Sequence, residues 1–186
     1  MEDIKAKVID EAIAYFNEKG LKFTIDELVE EIHISKKTVY KLFGNKVELL
    51  KDAVDYVFEQ IKEKENEIIA DDSIELLDKI TLVISCLPDK YADIDFGKVY
   101  QLKAKYPEVY DHIIDRIENS WENADKLLEE AMEKNLIRKI PITFIRLMLI
   151  GCIEQTIRST DLTTSGCGYG EALKEMVSVM MMGIKV

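Results

Sequence analysis

Apolar residues recur at helical spacing along almost the whole chain. Ile4, Val8, Ala12 and Phe16 repeat every four residues with Ile9 and Ile13 beside them. They form one stripe on a helix that Gly20 can end in a left-handed conformation. Thr24, followed three residues later by Glu27, has the form of a capping box, and it precedes a short helix whose inner side is Leu28, Val29 and Ile32. Ser35 suits the N-cap of a third helix with Val39 and Leu42 turned inward. Asn45 with Glu48 opens a fourth helix, whose Leu49, Leu50, Ala53, Val54, Val57 and Ile61 lead into the charged run IKEKENEIIADD.

Beyond residue 70 the pattern lengthens. Ile74 to Leu87 predicts a buried helix stopped by Pro88, and YADIDFGKVYQLKAKY predicts a loop and a short helix. Pro107 suits the first turn of one long helix, over about 108–134, through Ile113, Ile114, Ile117, Trp121, Ala124, Leu128 and Ala131, with a left-handed Asn135 at its end. From Pro141 to Thr160 the only charges are Arg146, Glu154 and Arg158, so that helix is buried on more than one face. The polar, glycine-rich segment DLTTSGCGYG connects it to a last helix, Glu171 to Ile184. No segment alternates with a period of two. The expectation is an all-α chain, with a three-helix head at 1–45 and a helical body at 46–186. About 24 residues of the fourth helix would span roughly 36 Å between them.

Composition narrows the chemistry. Only three prolines and eight glycines interrupt 186 residues, and the prevailing Glu, Lys, Leu, Ile and Ala lose little freedom in a helix. Cys86, Cys152 and Cys167 are far apart and odd in number, and His33 and His112 do not complete a ligand set, so neither a disulfide framework nor a metal site is expected. No nucleophile–base pair and no cofactor loop stands at a recognisable spacing. The reading is therefore not an enzyme, with no catalytic residues, no metal and no cofactor. The N-terminus carries charges where a signal peptide would need its apolar run, so none is expected, and the most apolar run, Ile140 to Ile153, is broken by Arg146 and too short to cross a bilayer. A cytoplasmic protein without a membrane partner is expected.

The net charge of −11 is unevenly placed: −2 over residues 1–50 and −9 over the remainder. Between Ile32 and Val47 stand Lys36, Lys37, Lys41 and Lys46, with no acid. Salt confines a field to about 8–10 Å, so such a patch can hold phosphate on an acidic protein. Two short helices joined by a tight turn, inside TIDELVEEIHISKKTVYKLFGNKVEL, have helix-turn-helix spacing. The second helix would offer its first backbone amides and Ser35 to an anion, with Lys36, Lys37, Tyr40 and Lys41 on its outer side. Taken singly, these lysines read equally as solvated surface and Tyr40 as core.

In register they say more. Thr38-Val39-Tyr40, then Phe43, then Lys46 and Leu49, behind a helix containing Ala12, Phe16 and Gly20, closely resemble the N-terminal signature of the tetracycline-repressor family, over roughly residues 4–55. The phrase EKNLIRKIPITFIRLMLIGCIEQ resembles that family's dimer-forming region. Val29 and His33 depart from it, standing where the family usually has Ala and Gly; His33 must then adopt the turn conformation. The resemblance implies a transcriptional repressor on a double-stranded operator, with phosphate contacts from Thr24, Ser35, Tyr40 and Lys46. Lys36, Lys37, Thr38 and Lys41 would lie nearest the bases. It also implies a homodimer through the last two helices, and release from the operator by a small molecule in the body. From apolar character, Ile145, Met148, Leu149, Gly151, Cys152, Met176, Val179 and Met180 are the expected dimer contacts. Cys86, Phe96, Tyr100, Tyr110, Trp121 and Phe144 are the expected lining of a largely apolar effector site. The rival readings are a small helical enzyme and a protein-interaction adaptor whose head does not bind DNA.

Overall fold

The computed structural model describes residues 2–88, 91, 96–159 and 168–186. Cys167 and most of the glycine-rich connector lie outside the described residues, as does the side chain of Phe96. The described chain is helical: α1 (Glu2–Lys19), a 3-10 turn (Gly20–Lys22), α2 (Ile25–Ile32), α3 (Lys36–Phe43), α4 (Lys46–Ala70), α5 (Leu76–Ile84), α6 (Phe96–Lys105), α7 (Pro107–Asn119), α8 (Glu122–Glu133), α9 (Ile142–Arg158) and α10 (Tyr169–Ile184). The only pairing of extended backbone among the described residues is a single bridge, Ile137 with Lys185, which ties the approach to α9 to the C-terminus.

The chain forms two compact units, Met1–Phe58 with Asp95–Arg116, and Glu59–Ile94 with Ile117–Val186. The head–body division expected after residue 45 falls between α3 and α4, whereas these units part within α4. In the first unit α1 packs on the 3-10 turn and α2, α2 on α3, and α6 on the turn. Val8, Ala12, Phe16, Leu28, Val39, Phe43, Leu49, Val99, Leu102 and Val109 are buried. The predicted stripe on α1 is buried at Val8, Ile9, Ala12 and Phe16, whereas Ile4 near the helix start is exposed and Ile13 half-buried; α6 and α7 join the unit with Val99, Leu102 and Val109 buried. In the second unit α5 packs on α8 and α10, and α9 on α8 and α10. Its core includes Ile80, Val83, Leu128, Ala131, Ile145, Leu149, Ile153, Ile157, Val177 and Met181.

Two expectations are corrected. The long helix over 108–134 is two helices, α7 and α8, parted at Ser120–Trp121. The Trp121 indole Nε1 donates to the Ile117 carbonyl at 2.7 Å, the acceptor that the Trp121 amide would use in an unbroken helix. Trp121 is buried with φ −109° and ψ 0°, and α8 starts anew at the next residue. The helix expected over Ile74–Leu87 is confined to Leu76–Ile84. Before it, the Asp71 carboxylate accepts from the Ser73 amide at 2.9 Å and its hydroxyl at 2.6 Å; after it, the Ser85 hydroxyl donates to the Thr81 carbonyl at 2.7 Å. These local bonds compete with the helical ones at both ends. Arg146, the charge in the apolar α9, is bound by both carboxylate oxygens of Asp125 on α8, which offsets the cost of half-burying it.

Candidate nucleic-acid interface

The geometry of α2 and α3 follows from four local signals. The Thr24 hydroxyl accepts from the Glu27 amide at 3.2 Å while the Glu27 carboxylate accepts from the Thr24 amide at 2.8 Å, so the capping box closes. At the other end of α2, His33 is left-handed, with φ 55° and ψ 41°, and its amide returns to the Val29 carbonyl. It adopts the conformation that the turn requires. Ser35 then caps α3, accepting from the Thr38 amide at 3.1 Å. Gly44, at φ 75°, ends α3, and the Asn45 side chain accepts from the Glu48 amide at 3.0 Å to start α4.

Sequence spacing decides which side of α3 is free. Val39 and Phe43 are buried; Leu42, expected inward, is half-buried, because Phe43 one step on takes the place under α3. Ser35, Lys36, Lys37, Tyr40 and Lys41 are exposed and Thr38 is half-buried. Tyr40, at 44% exposure, stands on the lysine side and not in the core. Thr24 is exposed as well. Lys37 and Lys41 have no ion-pair partner among the described residues. Lys36 meets the Asp26 carboxylate at 2.7 Å, an exposed pair of the kind that adds little to stability. Lys46 is placed differently: its ammonium is half-buried, donates to the carbonyls of Phe23 and Leu21, and lies 3.6 Å from the Phe23 ring centre. Burial first, then Lys105, push its pKa down to about 8.

The other expected residues lie elsewhere. Tyr100 and Tyr110 belong to the first unit and meet edge to face, ring centres 6.2 Å apart. Tyr110 is buried and its hydroxyl has no hydrogen-bond partner among the described residues. Cys86 and Trp121 belong to the second unit; burial raises the Cys86 thiol to about 11. Phe144 is exposed on α9, in line with Leu147, Met148, Gly151 and Cys152. An open cleft of about 390 Å³ in the second unit is walled by Met132, Glu133, Lys139, Ile140 and Pro141, none of them an expected lining residue.

Among the expected dimer contacts, Met148, Gly151, Cys152 and Val179 are exposed and Met176 is half-buried. Ile145, Leu149 and Met180 are buried against their own chain, so they offer little surface to a second copy. Three or four residues along a helix return to one face, and these three fall on the inner one. Leu147, 65% exposed, and Met182 on α10 complete the outer stripe and were not among the expected residues. Their spacing from Phe144 and Val179 was the available signal, hidden because α9 is apolar all round.

Residues 8–53 match the family described as bacterial regulatory proteins, tetR family. Over this stretch the chain is similar to that family. The matched stretch runs from the middle of α1 into α4 and holds the whole helix-turn-helix. Similarity extends further. The uncharacterized HTH-type transcriptional regulator YvaF of Bacillus subtilis is 26% identical over 179 residues, covering 96% of this chain and 94% of that protein. A Rhodococcus protein described as a TetR-family transcriptional regulator has the same fold, with TM-score 0.71 at 11% identity, covering 96% of this chain and 99% of that one. So does the TetR-family regulator PfmR of Thermus thermophilus, with TM-score 0.65 at 16% identity over 94% and 97% of the two chains. By these matches and its helix-turn-helix, the chain is a DNA-binding transcriptional regulator and not an enzyme. No helix among the described residues is long and apolar enough to cross a membrane.

Proposed function

We propose that the protein is a cytoplasmic, homodimeric repressor that reads a near-palindromic operator through α3 and leaves it when a small, largely apolar molecule enters the helical body at 46–186. The observation that carries the DNA reading is the outer face of α3, where Lys37, Tyr40 and Lys41 are exposed around a capped helix start whose inner side is fully engaged. Thr24, Ser35 and Tyr40 would bond phosphate oxygens; Lys36, Lys37, Thr38 and Lys41 would lie nearest the base edges. Lys46 would reach phosphate on leaving its carbonyls. Such contacts release counterions, so operator affinity falls steeply with salt.

The outer stripes of α9 and α10 support dimerisation. Phe144, Leu147, Met148, Val179 and Met182 are exposed, and an isologous pairing would bury the same stripe on both copies. Two-fold symmetry then sets two α3 helices on half-sites about 34–36 Å apart. An effector weakens binding only by preferring the non-binding spacing of the heads, with a coupling of about 1–3 kcal/mol, or roughly 5- to 150-fold in affinity. The test is salt titration of binding to a duplex that the protein selects from a random pool. The doubled change Lys37→Ala with Lys41→Ala should abolish selection while sedimentation still shows a folded dimer. Unchanged binding would reject α3 as the reading helix.

A further inference from the structure

We propose that Lys105 is a positioning residue for Lys46: the two ammoniums compete for one carbonyl, and Lys105 thereby governs whether Lys46 is free to meet DNA. The proposal rests on the reading of Lys46 as a phosphate contact.

The end of α1 and the turn after it present carbonyls without helical partners. Three lysines from two other helices converge on them. Lys98 of α6 donates to the Asn17 carbonyl. Seven residues on, at the end of the same helix, Lys105 donates to the Leu21 carbonyl at 3.3 Å. Lys46, at the start of α4, donates to that same Leu21 carbonyl at 3.3 Å and to Phe23. A carbonyl has two lone pairs and can accept both donors, but its partial charge does not cancel two full cations. Of the charged groups facing Lys46, Lys105 from α6 repels it and Glu27 from α2 attracts it. Glu27 is already engaged by Lys19 at 3.0 Å, so it compensates only in part.

The consequence is directional. With α6 seated on the turn, Lys105 claims the Leu21 carbonyl and makes the seat of Lys46 less favourable, so a nearby phosphate oxygen draws Lys46 out at small cost. With α6 drawn off the turn, Lys46 settles onto Leu21 and Phe23 and is lost to DNA. Lys105 touches no base or phosphate in this scheme; it acts through Lys46.

The experiment uses the full chain, a duplex selected by the wild-type protein, and the slope of log affinity against log salt. Lys46→Gln should lower that slope by about one per protomer. Lys105→Gln should lower it by the same amount, the double variant should be no worse than Lys46→Gln alone, and Lys105→Arg should restore wild-type behaviour. A pH series separates positioning from loss of structure. The free-state Lys46 is neutral above about pH 8, while phosphate favours its charged form, so wild-type affinity should fall as pH rises past that value. Lys46→Gln and Lys105→Gln should both lack this fall. Slopes that add in the double variant would make Lys105 a phosphate ligand in its own right and overturn the proposal. A wild-type slope, or a retained pH fall, in Lys105→Gln would overturn it too. A wild-type slope in Lys46→Gln would instead remove the phosphate reading beneath it, and thermal melting of each variant identifies any that fail to fold.

Discussion

Helices α3 and α9 have equally clear inner sides and opposite outer ones. On α3, Val39 and Phe43 are buried while Lys37, Tyr40 and Lys41 face out. On α9, Ile145, Leu149, Ile153 and Ile157 are buried at every fourth position while Phe144, Leu147 and Met148 face out. The inner sides do the same work, removing apolar surface from water at about 25 cal/mol per Å². Only the outer sides differ, and they suit different partners. A cationic face with a capped helix start attracts a polyanion; an apolar stripe gains only by covering itself with another apolar surface.

Exchanging the character of one outer side breaks this contrast most severely on α9. Leu147→Glu should convert the proposed dimer to monomers at micromolar concentration. A buried, uncompensated charge costs about 3–5 kcal/mol, and two-fold symmetry places two in the interface. Operator affinity should then fall by well over a hundredfold, although no α3 residue has changed. Sedimentation velocity and anisotropy read the two effects, and a dimer that survives Leu147→Glu would show that the stripe lies outside the interface. On α3, the doubled alanine change at Lys37 and Lys41 should do the reverse. The dimer persists while operator selection is lost, because both lysines lie nearest the base edges in the proposed complex. Together the two variants separate assembly from recognition; a shared phenotype would join them.

The head was legible because its structure is decided locally. Thr24 with Glu27, Ser35, Gly44 and Asn45 each bond within three or four residues of themselves, so sequence neighbours carry the information. Tyr40 was open between core and surface, and its register between Lys37 and Lys41 settled it. In the second unit the deciding features carry no such sequence signature. Nothing near Trp121 announces that its indole will take the Ile117 carbonyl and split a helix. An apolar α9 fits either face inward, so Ile145 and Leu149 could not be told from Leu147 and Met148 by pattern alone. Lys46 was readable as a cation at a helix start, but its seat on Leu21 and Phe23, beside a lysine 59 positions further on, was not.

The local bonds of the head can be measured singly. Thr24→Ala removes the acceptor for the Glu27 amide, and such a loss costs about 1 kcal/mol of stability. Urea unfolding should show a lower midpoint with an unchanged slope, and Thr24→Ser should recover most of the difference. Since Thr24 is also an expected phosphate contact, Thr24→Ala should weaken operator binding beyond its effect on folding. Full recovery of binding at low urea and low temperature would confine Thr24 to the cap.

The smallest effect compares the two left-handed residues other than glycine among the described residues, one in each unit. His33 and Asn135 both have φ 55°. A left-handed conformation costs an ordinary L-residue roughly 1–2 kcal/mol, and Asn less, because its short side chain bonds locally. Glycine avoids that strain but gives up about 0.5–1 kcal/mol to the greater freedom of the unfolded chain. The difference predicts a gain of a few tenths to about 1 kcal/mol for His33→Gly, and about zero or a slight loss for Asn135→Gly. His33→Val should destabilise, since a β-branched residue tolerates the left-handed region worst. None of these changes should alter the salt slope of DNA binding, because no cation is removed. Chemical denaturation of the three variants decides the order. If His33→Gly proved the less stable, the imidazole would be contributing contacts that outweigh the strain of its backbone, and the departure from glycine at this turn would have a structural reason of its own.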